Sequence, residues 1–298
     1  MMRSMYSGVA GMRSNQTKMD VIGNNIANVS TTSYKSSRVR FHDTFSQTQV
    51  RAQAPVTNGR GGINPQQIGQ GVSVAAIDTL FEGGAMQPTG RDLDLAIEGE
   101  GFFVISEDPA GVSKRYTRDG VFYKDYNGNL VNGEGFYILG ISNFDANGMP
   151  LQTNPPNIEA DGSNLEMLTI PDEIFDGADT YRLETFYIDG SGLITAIYDN
   201  GERYTLGRVA LATFPNTNGL EKLGGNTYGI SNNTGQPQYG NPAGNGLGIL
   251  RQGNLEMSNV DLANEFTEMI ITSRAYQANS RIITTSDEML LELINLKR

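Results

Sequence analysis

The sequence predicts an α+β fold in which two long terminal helices pair in a coiled-coil-like manner beside a mostly β, glycine-rich centre. Three observations carry this. An apolar residue recurs every seven positions at the start of the chain, a second seven-residue repeat runs along its end, and most of the 36 glycines fall between them.

At the start, Met5, Met12, Met19 and Ile26 share one helical face, with Val9 and Gln16 on the same stripe and Ile22 and Val29 widening it. This is helix periodicity, and it predicts a helix over 4–27. Asn24, Asn25 and Asn28 weaken it, and the polar run Ser30 to Ser33 stops it. At the end, Leu262, Met269, Tyr276, Ile283 and Leu290 recur every seven residues, with Phe266, Ser273, Ser280, Asp287 and Ile294 expected at the second position of the repeat. A helix over 260–294 follows, capped by Ser258 or Asn259 with Asp261 in its first turn. At ~1.5 Å per residue it runs about 50 Å.

Repeats at both ends suggest that the ends meet. Residues 1–40 hold six basic groups against Asp20, and residues 255–298 hold seven acids against four basic groups, so the signs agree. Gln16, Gly23, Ser273, Ser280 and Asp287 interrupt the stripes, so the pair has little apolar surface of its own and needs neighbouring copies to bury it. The residues expected to form that assembly core are Met5, Met12, Met19, Ile26, Leu262, Phe266, Met269, Tyr276, Ile283 and Leu290.

The centre reads as strands and turns. Asp92 to Ile97 alternates polar and apolar residues as a half-buried strand does, which puts Asp92 and Asp94 on one face. Phe102 to Ile105 and Phe136 to Ile141 are apolar runs of strand length. Asn127-Gly128 is a hairpin turn, Asp189 to Gly192 joins strands near 182–188 and 193–198, and Val209 to Phe214 is a further strand. The expected domains are an inner helical core of 1–30 and 255–298, an extended arm of 31–75, a β-rich middle of 76–144 and 206–254, and a small outer domain or lobe of 145–205. Gly61 and Gly246, in glycine-rich joins, are candidate hinges.

Composition excludes several kinds of chemistry. With no cysteine and one histidine, there is no thiolate metal site and no multi-histidine zinc site. A net charge of -11 disfavours nucleic acid as a partner. No apolar run approaches the ~20 residues of a spanning helix, and the start lacks the features of a cleaved signal. Gly59-Arg60-Gly61-Gly62 lacks the lysine of a phosphate loop, and Gly99-Glu100-Gly101 leads into an apolar run where a dinucleotide site needs a helix. Asp125, Asn127 and Asn129 open like a calcium loop but have Phe136 where its glutamate belongs. His42 has no nucleophile motif to serve. No catalytic, cofactor or metal site is expected.

The run Arg3 to Met12, the run Asp20 to Val29 with Asn24-Asn25-Ile26-Ala27-Asn28 at its heart, and Thr32-Ser33-Tyr34-Lys35 resemble the N-terminal signature of flagellar rod and hook proteins. Asp94 to Phe103, Tyr116-Thr117-Arg118-Asp119-Gly120, Gly253 to Leu262 and Arg274 to Asn279 extend the resemblance in order through the chain. Within that family, Arg38-Val39-Arg40-Phe41, Glu256 to Leu262 and the end from Thr284 look like a hook protein, with the distal rod protein as the alternative. The resemblance implies a non-enzymatic subunit of a helical homopolymer that transmits torque outside the cell. It implies export by the flagellar type III apparatus without a cleaved signal. The partners it implies are the distal rod protein, the hook cap and the hook-filament junction protein.

Overall fold

The computed structural model describes residues 2–55, 61–145, 149–175, 180–244 and 246–296. The architecture is α+β: helix α1 spans Met2–Ala27, helix α2 spans Leu262–Leu296, and the described residues between them are strands, turns and a short 3-10 helix at Thr217–Gly219. Gly59 and Arg60 lie outside the described residues. Two units can be distinguished. The first comprises Met1–Val29, Ser36–Leu80 and Val260–Arg298, and the second Ser30–Lys35 and Phe81–Asn259.

In the first unit α1 and α2 run antiparallel. α2 starts on Asp261, whose Oδ1 accepts from the Ala263 and Asn264 amides at 2.9 and 3.4 Å. The cap is therefore Asp261 and not Ser258 or Asn259: a carboxylate satisfies two of the otherwise unpaired first-turn amides and complements the helix dipole. The stretch that follows α1 in this unit folds back on itself. Ser37–Asp43 pairs antiparallel with Val72–Thr79, and Ser46–Val50 with Gln66–Gly69. α1 lies on the first ribbon, where Ser14 Oγ donates to the Val72 carbonyl at 3.3 Å. His42 sits exposed on this ribbon, 3.1 Å from Ser73 Oγ.

The second unit is built on a 14-stranded sheet. Its central strand, Phe102–Ser106, is buried throughout because alternate side chains feed two separate cores. Phe103 joins Leu95, Ile97, Phe122, Leu130 and Ile138, whereas Phe102 and Val104 join Tyr116, Leu139, Phe214 and Tyr228. This is why the run reads as continuously apolar. The hairpins form where turn chemistry placed them. Gly128, at φ 86°, turns Phe122–Lys124 into Leu130–Asn132, and Thr180–Ile188 meets Leu193–Tyr198 across Gly192, at φ 76°. The calcium-like run is that first turn: Asn129 Oδ1 accepts from Thr169 Oγ1 at 2.9 Å.

Two readings of strands are corrected. The strand expected from Asp92 begins only at Leu95, because the Asp94 amide bonds back to the Arg91 carbonyl at 3.2 Å in a turn. Asp92 is exposed and Asp94 buried, so they do not share a face. Val209 closes the strand Arg203–Val209, and the next strand is Leu211–Thr213.

Candidate functional site

Within the second unit, three of the signature runs meet at one buried cluster of charge. Lys35, Glu256 and Arg118 have side chains only 0 %, 2 % and 3 % exposed. Lys35 Nζ lies 2.5 Å from Glu256 Oε1 and also donates to the Glu82 carbonyl at 2.8 Å. Glu256 Oε1 accepts from the Gly84 amide at 2.9 Å. Arg118 Nε faces Glu256 Oε2 at 3.2 Å without hydrogen-bond alignment, and the same guanidinium donates to the Gly99 carbonyl. Two cations thus share one carboxylate, and backbone carbonyls absorb the surplus positive charge. Burial holds the Lys35 ammonium below the usual lysine value, with the Glu256 carboxylate opposing it.

The segment Ser30–Lys35 is fastened around this cluster. Ser33 adopts φ 55°, a left-handed conformation that costs a serine about 1–2 kcal/mol. In that conformation its amide donates to the Glu256 carbonyl at 2.8 Å and its Oγ to the Arg118 carbonyl at 2.7 Å. Thr32 Oγ1 donates to Asp119 Oδ1 at 3.2 Å, and Asn226 Nδ2 to the Thr32 carbonyl at 3.1 Å. Each residue of Tyr116-Thr117-Arg118-Asp119-Gly120 has a task here. Tyr116 hydroxyl meets Tyr239 hydroxyl at 2.7 Å, Thr117 Oγ1 donates to the Asn226 carbonyl at 2.9 Å, and Gly120 lies against the Leu95 backbone. The sequence reading did not single out Lys35, Arg118 and Glu256 as partners. The available signal was a charged residue inside each quoted run; their convergence depends on the fold.

Burial raises the Asp119 carboxyl above the usual aspartate value, and its hydrogen bonds from Val121, Thr32 and Asn226 oppose the shift while nearby Asp94 adds to it. A carboxyl raised in the folded state stabilises that state below its unfolded value of about 4, and the contribution is lost as pH rises through the folded value. Asp119→Asn should therefore gain stability relative to the parent as pH rises from 3.5 to 7. Urea midpoints at the two pH values measure this, and a gain equal at both would refute it.

In the first unit the residues of α1 that bury most deeply are Gly8, Gly11, Ser14, Ile22 and Asn25, while Met5, Met12, Met19 and Ile26 are half-buried beside them. On α2, Met269, Ile283 and Leu290 are half-buried, but Leu262, Phe266 and Tyr276 are exposed. The second position of the α2 repeat falls one residue earlier than expected. Thr272 and Ser286 are buried, whereas Phe266, Asp287 and Ile294 face outward. The reason is steric: α1 presents glycines, and small α2 side chains let the backbones approach. A Cβ on Gly11 would lie 2.6 Å from Asn279 Nδ2, and one on Gly8 would lie 3.4 Å from the Asn279 carbonyl oxygen. Toward the other end of the seam Asn25 Nδ2 donates to Glu265 Oε1 at 2.9 Å, and Lys18 pairs with Glu268 at 2.5 Å. Phe266, Ile270, Ile271, Ile282, Met289, Leu291, Leu293 and Ile294 leave much of α2 apolar and exposed. A Cβ on Gly61 would meet nothing within 4 Å among the described residues, and Gly246 occupies a left-handed turn at φ 81° beside buried Leu247.

Three family models match the chain in order. They are a flagella basal body rod protein model over residues 5–35, a flagellar hook protein FlgE/F/G D1 domain model over 96–196, and a flagellar basal body rod FlgEFG protein C-terminal model over 251–296. The flagellar basal-body rod protein FlgG of Bacillus subtilis is 44 % identical over 299 residues, covering all of both chains. The chain belongs to the flagellar rod and hook protein family. Its FlgG relative in Borreliella burgdorferi is 37 % identical over 299 residues, again covering both chains fully. The FlgE hook protein of the same organism is 32 % identical, also covering both chains, in an alignment of 445 residues. A flagellar structural role follows, and these flagellar relatives are structural proteins and not enzymes. Each model contains one charge of the buried cluster: Lys35 lies in the first, Arg118 in the central one and Glu256 in the last.

Proposed function

We propose that this chain is a distal rod subunit of the flagellar basal body, in preference to the hook protein suggested by its signature runs. One observation carries the choice. The rod relatives match the chain end to end over 299 residues, whereas the hook alignments spread over 445 and 467 residues around its 298. The hook relatives therefore carry long segments that have no counterpart here. Identity points the same way, at 44 % for a rod protein against 32 % for a hook protein.

In this reading α1 and α2 form the inner layer of a helical homopolymer, and their exposed apolar side chains find partners in adjacent copies. A heterologous contact that does not close generates such a filament. Export through the flagellar type III apparatus and contact with neighbouring axial proteins, the hook among them, belong to the same reading. Hinge motion at Gly61 and Gly246 is needed only if the tube must bend, so a stiff rod does not call on it.

Basal bodies from a strain lacking this protein decide between rod and hook. The distal rod reading expects a truncated rod with no hook. A complete rod that merely lacks its hook would overturn it.

The assembly role of the helices has its own test. Met269→Asp should leave the second unit folded, because Met269 belongs to the first, yet abolish polymerisation. Burying an unpaired carboxylate at every subunit contact costs several kcal/mol each time. Sedimentation of polymer alongside tyrosine fluorescence of the monomer measures both effects, and normal polymers from this variant would remove Met269 from the assembly core.

A further inference from the structure

We propose that the last turns of α2 form a plug, which seats in a groove at the opposite end of the helix pair of a second copy. The overlap of the two helices leaves this end free. Gly8 of α1 lies against Asn279 and Ile283 of α2. α1 starts at Met2, six residues before Gly8, so on its antiparallel partner that start lies opposite about residue 288. α2 runs on to Leu296. Every residue from Leu291 to Leu296 is exposed, and Leu291, Leu293, Ile294 and Leu296 are each at least half exposed. A helix that is apolar on all its faces belongs in a buried setting. Among the described residues, nothing of the same copy covers this one.

The groove, of about 270 Å³, lies where α1, the start of α2 and the strand Ser37–Asp43 converge. Val21, Ile22, Val39 and Leu80 give it apolar walls. An apolar cavity of about 150 Å³ accepts a benzene-sized group, so this one admits a leucine-sized side chain with room to spare. Three of its four charged side chains are engaged: Lys18 pairs with Glu268, and Glu265 accepts from Asn25 Nδ2. The fourth, Arg38, is exposed and has no ion pair among the described residues. On the plug, Met289, Leu293 and Leu296 recur at helical spacing on one face, with Glu292 beside them. Glu292 is also exposed and without an ion pair among the described residues. Apolar side chains for apolar walls, and an acid for Arg38, make the two surfaces complementary.

Within one copy the two surfaces cannot meet. From Glu268 at the groove to Leu293 is 25 residues of continuous helix, or roughly 40 Å. They meet only between copies displaced along the helix axis by about that distance. Such a contact is heterologous: each copy offers a plug at one end and a groove at the other, so addition does not close. This rests on the reading of the helices as the inner layer of a polymer, and names the contact that joins successive copies along it.

The chain has no cysteine, so introduced thiols report only the chosen pair. Leu293→Cys and Val39→Cys are made in separate full-length chains and co-expressed in a strain lacking the parent, and the isolated basal bodies are oxidised. Peptide mass spectrometry should find a disulfide between positions 293 and 39 of different copies. Basal bodies that contain both variants but lack this cross-link would overturn the plug and leave the polymer reading standing. Absence of the parent chain from isolated basal bodies would overturn the polymer reading, and the plug with it. Charge reversal supplies a second measurement at exposed side chains that the fold does not need. Arg38→Glu and Glu292→Arg should each lower incorporation into basal bodies by about tenfold or more, since like charges then face each other. The double variant should recover it. Singles that incorporate normally, or a double variant no better than the singles, would overturn the docking.

Discussion

Replacing Glu256 with glutamine should destabilise the second unit by about 3–5 kcal/mol, the cost of removing one partner from a buried ion cluster. The cluster carries two cations and one anion, so the three partners are not equivalent. Without Glu256, Lys35 and Arg118 face each other in a dry site with no counterion. Without Lys35, a neutral Arg118–Glu256 pair remains, and the buried ammonium and its desolvation cost are gone. Lys35→Met should therefore cost clearly less than Glu256→Gln. The chain has 13 tyrosines and no tryptophan, so tyrosine fluorescence in urea follows unfolding. Equal costs for the two variants, or a loss below about 1 kcal/mol for Glu256→Gln, would mean that water reaches the site and screens it. The cluster gives Ser30–Lys35 its place in the second unit, although the residues on both sides of that segment belong to the first. A failure at Glu256 should therefore also expose the peptide bonds of 30–35 to protease.

Gly120→Ala should be nearly as damaging, at about 3 kcal/mol or more, beyond the usual range for a single added methyl. The position requires glycine for space and not for backbone freedom. A Cβ here would sit well inside contact distance of the Leu95 carbonyl oxygen and 2.7 Å from its carbonyl carbon. The obstacle is backbone that cannot rotate away. Moving it would break the Leu95 amide bond to the Gly120 carbonyl, now 3.0 Å, and disturb Leu95 and Ile97 in the larger core. Gly133→Ala is the matched control, since nothing lies within 4 Å of its added methyl. Comparing the urea midpoints of the two variants checks this, and equal midpoints would refute it.

The glycine and the ion cluster illustrate different limits of reading a sequence. Gly120 falls in a run that the family resemblance had already marked, but nothing local says whether its glycine serves a turn or a close approach. That depended on which strand arrives opposite, and Leu95 is distant in sequence. Lys35, Arg118 and Glu256 each look like ordinary surface charges in their own runs. Only the folded chain shows that they share one dry site.

The helices show the same division within a single element. Their existence, length and pairing were legible, because a seven-residue repeat is a property of each segment alone and sign complementarity is additive along the chain. Which face of each helix turns inward was not. Apolar content favoured the methionine stripe of α1 and Phe266 of α2, whereas the deepest burial went to Gly8, Gly11, Thr272 and Ser286. Side-chain volume on the opposing helix governs that choice, and a single-segment pattern does not contain it.

By itself, then, the sequence determined the α+β class, the two long helices, the main hairpins and the flagellar family, since these follow from local periodicity, turn chemistry and ordered signature runs. Tertiary structure alone decided the buried cluster at Glu256, the burial of Asp94 apart from Asp92, and the glycine-lined face of the helix seam. Each of these depends on what a distant segment brings to within a few ångströms, where excluded volume and desolvation outweigh local preference.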